Sequence, residues 1–142
     1  MKTTLVLTIA LALFLACNAK QFSKCELARH LLQQNVEKWQ IGTWVCIAQH
    51  ESNLSTTAIN RKTDDYGIFQ ISSLYWCNHA RAGKGCGLSC NSLLDDDIHD
   101  DIQCVKRIFK ETAKFRVNGF MAWTVYPKFC KGDTRHYVAG CF

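Results

Sequence analysis

The stretch Asp65-Tyr66-Gly67-Ile68-Phe69-Gln70-Ile71-Ser72 decides the fold class. It is rich in strand formers, alternates in part between apolar and polar residues, and suits a short hairpin. On both sides of it the periodicity is helical. Upstream, residues 26–34 repeat Leu27/Leu31 and Ala28/Leu32 at i,i+4 spacing, and residues 44–49 carry the broad apolar face of Trp44, Val45, Ile47 and Ala48. Downstream, a third helix is predicted from about Ile98, with Ile102, Val105, Ile108 and Phe109 on one side, and a fourth short one over residues 120–124. Helices, then a small sheet, then helices imply an α+β domain: a helical lobe plus a small antiparallel sheet lobe, with a ligand cleft between them.

The chain has 142 residues and a single proline, Pro127, with no repeat or low-complexity tract, which suits one domain. It opens with Lys2, an apolar run from Leu5 to Ala16, and the small residues Ala16-Cys17-Asn18-Ala19. That run is short for a membrane span and reads as a secretory signal peptide over residues 1–19, cleaved after Ala19. The domain proper is then residues 20–142, expected to be secreted, extracellular and monomeric, without stable membrane insertion. Nine cysteines are present, and Cys17 belongs to the leader. The remaining eight are Cys25, Cys46, Cys77, Cys86, Cys90, Cys104, Cys130 and Cys141. An even number in a short secreted chain implies a disulfide framework, and the absence of any C-x2-C pair argues against zinc. Spacing alone leaves the connectivity open. The net charge of +5 falls by one when the leader is lost. No Lys/Arg stripe forms, so no nucleic-acid partner is expected, although an anionic bacterial envelope would be attracted.

Glu51 closes the apolar helix in His50-Glu51-Ser52-Asn53, and Asp65 heads the hairpin. Two carboxylates on different elements can face each other across a cleft. Glycoside hydrolysis needs such a pair, one protonated to serve the leaving oxygen and one ionised to meet the positive sugar carbon. Taken as residue types alone, these are two acids among twelve.

The surrounding motifs are more specific. Lys24-Cys25-Glu26-Leu27-Ala28, Trp44-Val45-Cys46, Glu51-Ser52-Asn53, Asp65 to Ile71, Tyr75-Trp76-Cys77-Asn78, Cys86-x3-Cys90, Cys104 and Ala122-Trp123 resemble C-type lysozymes, over essentially all of residues 20–142. The resemblance implies the pairs Cys25–Cys141, Cys46–Cys130, Cys77–Cys90 and Cys86–Cys104. It implies Glu51 as general acid, desolvated against Trp123, and Asp65 as nucleophile or charge stabiliser. The implied substrate is the β-1,4 link between N-acetylmuramic acid and N-acetylglucosamine in peptidoglycan, or N-acetylglucosamine oligosaccharides, cleaved with retention. Tyr75, Trp76 and Trp123 would stack on sugar faces, with Gln70, Ser72 and the Ala122 backbone supplying polar contacts. Trp44 reads as core, and His50 is assigned no role in the reaction.

Departures from the family pattern concentrate near Asp65. Ser72 stands where many members carry Asn, which weakens the polar support of the catalytic aspartate. Residues 60–66 are about three residues shorter than the usual hairpin, which places Asp64 beside Asp65 as a rival for its role. The following Tyr66-Gly67 favours Asp65. Residues 110–118 are longer than in many relatives, which suits an altered substrate range. Asn53-Leu54-Ser55 is a glycosylation sequon, read here as unused.

Asp95, Asp96, Asp97, Asp100 and Asp101 crowd together ahead of the third helix. The spacing is not that of an EF-hand. It matches the calcium loop of α-lactalbumins and calcium-binding lysozymes, which implies side-chain ligands from Asp95, Asp100 and Asp101 and carbonyl ligands from Ser92 and Asp97, for a structural Ca²⁺. No cofactor is expected for catalysis. The rival reading is a non-catalytic lysozyme-like protein, a glycan-binding or regulatory module as α-lactalbumin is. Retention of both carboxylates favours the enzyme. A cationic membrane-disrupting role is secondary, given the modest charge.

Overall fold

A computed structural model describes residues 20–142; the expected signal peptide lies outside the described residues. Helix α1, Lys24–Gln33, starts at a capping box: the Ser23 hydroxyl accepts from the Glu26 N–H while the Glu26 carboxylate accepts from the Ser23 N–H. Its buried face is Leu27, Ala28 and Leu31; Leu32, the fourth member of the i,i+4 pairs read from the sequence, is exposed. Helix α2, Lys38–Ser52, begins well before the expected Trp44 and is buried without a break from Ile41 to Ala48. An exposed first turn, Lys38 to Gln40, followed by a stretch buried all round leaves only a weak apolar period, which hid the start of the helix. It ends at Asn53, whose left-handed backbone (φ 53°) closes the last turn. The Asn53 amide oxygen accepts from Gln49 Nε2 at 2.5 Å, so the sequon asparagine serves as a helix terminator.

Strands β1 (Ile59–Asn60), β2 (Asp65–Tyr66) and β3 (Ile71–Ser72) form an antiparallel sheet in the order β1-β2-β3, with Asp65 opposite Asn60 on one side and Ser72 on the other. The expected hairpin is β2–β3. Beyond the expected antiparallel sheet, the loop between Cys77 and Cys90 contains a short parallel pair, β4 (Cys77–Asn78) and β5 (Leu88–Ser89). Helix α3, His99–Thr112, buries Ile102, Val105 and Ile108, and its first turn carries Asp100 and Asp101, where carboxylates favour the helix dipole. The expected fourth helix is a 3₁₀ turn, Gly119–Ala122, followed by a wide turn over Tyr126–Cys130 and a second 3₁₀ turn, Arg135–Val138.

The four disulfides are Cys25–Cys141, Cys46–Cys130, Cys77–Cys90 and Cys86–Cys104, the pairing implied by the resemblance. Two of them staple α1 and α2 to the C-terminal segment, one closes the loop that carries β4 and β5, and one, Cys86–Cys104, fastens that loop to α3.

Trp44 is the hub of the helical lobe. At 1% exposure it meets Phe69, Phe109, Phe120 and Trp123 edge-on, with ring centroids 4.9–6.0 Å away. Two hydrogen bonds then fix the β2–β3 turn to this lobe. Trp123 Nε1 donates to the Phe69 carbonyl at 2.9 Å, and the Ser52 hydroxyl, one residue past Glu51, donates to the Ile68 carbonyl at 2.7 Å. The core thereby sets where the hairpin stands relative to the end of α2.

Candidate active site

A cleft of about 380 Å³ lies between the lobes, lined by Glu51, Asn60, Thr63, Asp65, Gln70, Ile71, Ser72, Leu74, Trp76, Ile108, Ala122, Trp123 and Thr124. A second depression of about 700 Å³ continues from it and shares Glu51, Asn60 and Gln70. Its far end is polar and basic, with His50, Asn53, Arg61 and Lys62. Glu51, with Asn60 and Gln70, therefore stands at the junction of the two depressions, and Asp65 lines only the first.

Glu51 comes from the last turn of α2. Burial against the lobes raises its carboxyl from 4.5 to about 7, and the charge of Asp65 adds to the shift. Asp65 comes from the first residue of β2, and Thr63 Oγ1 donates to its Oδ2 at 2.6 Å. A carboxyl that holds its proton near neutral pH thus faces a carboxylate whose charge is part of what holds that proton.

Of the eight catalytic and sugar-contact residues expected from sequence, seven line the cleft: Glu51, Asp65, Gln70, Ser72, Trp76, Ala122 and Trp123. Tyr75 does not. It is 68% exposed and lies outside the lining, while its neighbour Leu74 takes a place in it. Trp123 is 5% exposed, so it is mainly a core residue that shows one edge to the cleft. The Ser72 hydroxyl accepts from the Leu74 N–H at 3.2 Å, and support for Asp65 comes from Thr63. Sequence reading missed Thr63. Its only signal was a hydroxyl two residues before Asp65, within reach once the turn folds back on itself.

Asp64 is excluded as the cleft carboxylate. It adopts a left-handed backbone (φ 60°) and turns its side chain to Tyr66, Ser73 and His79. Hydrogen bonds from Ser73 and Tyr66 hold its carboxyl below the usual range.

In the aspartate cluster most side chains are engaged by nearby groups. Asp95 and Asp97 accept from the backbone N–H groups of Asp97 and His99, Asp100 accepts from the N–H of Asp101, and Asp96 accepts from Thr56 Oγ1. The Ser92 hydroxyl donates to the Ser89 carbonyl. Among the described residues, no three acidic, His or Cys side chains converge as a metal-ligating group. Asp101 is the exception to this satisfied pattern: it is fully buried, and neither carboxylate oxygen has a hydrogen-bond partner. Burial first, and the charge of Asp100 second, push its carboxyl up to about 9. It abuts Gly67, where a Cβ would come within 3.0 Å of Asp101 Oδ2 and would also strike the Leu93 carbonyl; Gly67 (φ 80°) is the residue that lets this contact form. No helix among the described residues is long and apolar enough to cross a membrane.

Residues 20–141 match the model of the C-type lysozyme/alpha-lactalbumin family. Lysozyme c-1 of Anopheles gambiae is 40% identical over 95% of this chain and 96% of its own length. The milk isozyme of lysozyme C from Canis lupus familiaris is 42% identical over 86% of this chain and 98% of its own. The crystal structure of lysozyme from Equus asinus superposes with a TM-score of 0.76 at 39% identity, covering 87% of this chain and 99% of that one.

Proposed function

The chain belongs to the C-type lysozyme/alpha-lactalbumin family and is a glycoside hydrolase of lysozyme type; from that premise we propose that it is a secreted muramidase. It hydrolyses the β-1,4 link between N-acetylmuramic acid and N-acetylglucosamine in bacterial peptidoglycan with retention, in an antibacterial or digestive role. The observation that carries this reading is the unlike pair in one groove, Glu51 raised to about 7 by burial and charged Asp65 on the opposite lobe.

The chemistry follows from their placement. Sugar on the Asp65 side of the groove packs on Trp76 and the exposed edge of Trp123, with Gln70 and the Ala122 backbone fixing its polar groups. The bond to be broken then crosses the Glu51 junction, and the leaving portion extends toward Arg61 and Lys62. Glu51 gives its proton to the bridging oxygen as the C–O bond breaks. Asp65 meets the positive charge that grows on the anomeric carbon, as a covalent or an electrostatic partner. Water then enters, Glu51 takes its proton back, and configuration at the anomeric carbon is retained. Four disulfides suit the oxidising, extracellular setting in which peptidoglycan is met.

The deciding experiment is turbidity loss of Gram-positive cell walls by the wild type beside Glu51→Gln. Activity in the wild type alone supports the assignment. Equal activity in both rejects the mechanism, and inactivity in both, with glycan binding retained, favours the non-catalytic module.

A structural calcium ion is proposed beside Asp101. The support is its buried, unpartnered carboxylate, because hard oxygen ligands at this depth call for a compensating charge. Asp101 would be joined by Asp95 and Asp100, turned from the backbone groups they now serve, and by the carbonyls of Ser92 and Asp97. A melting temperature that is the same in calcium and in chelator would reject it.

A further inference from the structure

The shortened turn before β2 contains a polar assembly behind Asp65. Thr63 and Asp65 both line the cleft. Asp64 and Tyr66, the alternate residues, meet each other instead: the Tyr66 hydroxyl donates to Asp64 Oδ1 at 2.7 Å. On Asp64 Oδ2 converge the Ser73 hydroxyl at 2.5 Å and His79 Nε2 at 2.6 Å, and the Asp64 carbonyl accepts from the Ser73 N–H at 3.0 Å. The Lys84 ammonium donates to the Ser73 carbonyl. The start of the same turn is held by Asn60, whose Oδ1 accepts from the N–H groups of Lys62 and Thr63 and whose carbonyl accepts from the Asp64 N–H at 2.7 Å. One carboxylate therefore ties together β2, the residue after β3 and the residue after β4.

We propose that Asp64 is a positioning residue for Asp65, its carboxylate gripping Tyr66, Ser73 and His79 on the rear face so that the turn presents Asp65 to the cleft. Three points carry this. Asp64 occupies a left-handed conformation (φ 60°), which aspartate tolerates better than most residues and which turns its carboxylate away from the side that Asp65 presents to the cleft. The residues on either side of Asp65 are tied to each other, which leaves its side chain the opposite face. The contacts bridge three segments distant in sequence, so they do more than close the turn. The exposed Asp64–His79 ion pair alone contributes little; the constraint comes from Tyr66, Ser73 and His79 acting together on one carboxylate.

This inference rests on the role of Asp65 proposed above, and its test includes a reading that needs no turnover. Asp64→Ala, Asp64→Asn and Tyr66→Phe are compared with wild type on a soluble chito-oligosaccharide, each well below its melting temperature. A carbon-detected NMR titration of the Glu51 carboxyl runs beside the kinetics. Asp64→Ala should lower kcat about tenfold with KM within about twofold. Asp64→Asn, which keeps one acceptor oxygen, should recover part of the loss, and Tyr66→Phe added to Asp64→Ala should cost nothing further. In Asp64→Ala the Glu51 midpoint should fall, because the charge of Asp65 no longer sits where it raises that group. A normal kcat and an unmoved Glu51 midpoint, with only the melting temperature reduced, would overturn the proposal. Should Asp64→Ala fail to fold, Tyr66→Phe, which keeps the ring and loses only the hydroxyl, is judged by the same two readings. A wild type without hydrolysis would defeat the function proposed above, while the Glu51 titration would still decide this point.

Discussion

Glu51 and Asp101 are two carboxyl groups raised by the same pair of causes, burial first and a neighbouring aspartate second. Their settings differ. Glu51 ends a helix and stands at the junction of the two depressions, with a charged partner across the gap. Asp101 begins a helix, is sealed from solvent, and faces the backbone at Gly67 with both oxygens unpaired. A raised carboxyl therefore marks desolvation, and it becomes an acid catalyst only where substrate can reach it and an ionised partner shares the space. Where neither holds, the same shift is a structural liability that a cation can relieve.

Substitution should separate the two roles. Glu51→Gln keeps size and removes the transferable proton, so cell-wall lysis should fall about 10²- to 10⁴-fold with the melting temperature unchanged or raised. Asp101→Asn should do the reverse. Hydrolysis persists, while the rise in melting temperature that calcium gives the wild type disappears. At calcium 100-fold above its dissociation constant that rise would correspond to about 2.7 kcal/mol. Calorimetry of both variants in calcium and in chelator reads the contrast. A calcium response intact in Asp101→Asn would break it.

The acid limb of the comparison can be sharpened through pH. Glu51 must hold its proton to act, so activity should decline as pH rises through about 7. The sign for stability is the same. The folded state binds this proton more tightly than the unfolded chain does, so the Glu51 contribution to stability weakens as pH rises from about 4.5 to about 7. Asp65→Asn removes the second cause of the shift and leaves burial. The Glu51 midpoint, followed by NMR, should drop yet stay above 4.5. A drop all the way to 4.5 would mean that Asp65, rather than burial, dominates.

The sequence showed these features unevenly, for physical reasons. The amphipathic stripe of α3 and the i,i+4 pairs of α1 were legible because one face of each helix is solvated. The start of α2 was hidden because its first turn, Lys38 to Gln40, is largely exposed and carries no apolar stripe, while Ile41 to Ala48 is buried on all sides and has no polar face to mark its period. Glu51 and Asp65 were placed by motif, since nothing in residue type distinguishes them from other acids. Tyr75 stands outside the cleft lining while Trp76 and Leu74 line it, because the three share the turn between β3 and β4 and only the fold tells which of its side chains meet the groove. The Asp64 assembly was invisible because its partners lie 2, 9 and 15 positions away and meet only when three strands are brought together. The resemblance implies a calcium ligand set around Asp101; the local bonds by which Asp95 and Asp100 each accept from a nearby backbone N–H are ones that short carboxylate side chains reach easily and that residue type does not announce.

The smallest expected effect concerns the residue that sequence reading overlooked. Thr63 Oγ1 donates to Asp65 Oδ2 at 2.6 Å from a position that itself lines the cleft. A hydrogen bond to a carboxylate has two consequences that oppose each other. It fixes the oxygen for approach to the anomeric carbon, and it draws off some of the charge that should stabilise the developing cation. If placement matters more, Thr63→Val lowers kcat by about 3- to 10-fold, the equivalent of ~0.5–1.5 kcal/mol for one hydrogen bond. If charge matters more, kcat rises slightly. The geometry favours loss, because Asp65 sits at the end of a two-residue strand beside a tight turn, where an unheld side chain has other rotamers open to it. Thr63→Ser should separate the hydroxyl from the methyl group: retention of kcat in Ser together with its loss in Val assigns the effect to the hydrogen bond, and equal losses in both would assign it to packing at the mouth of the cleft.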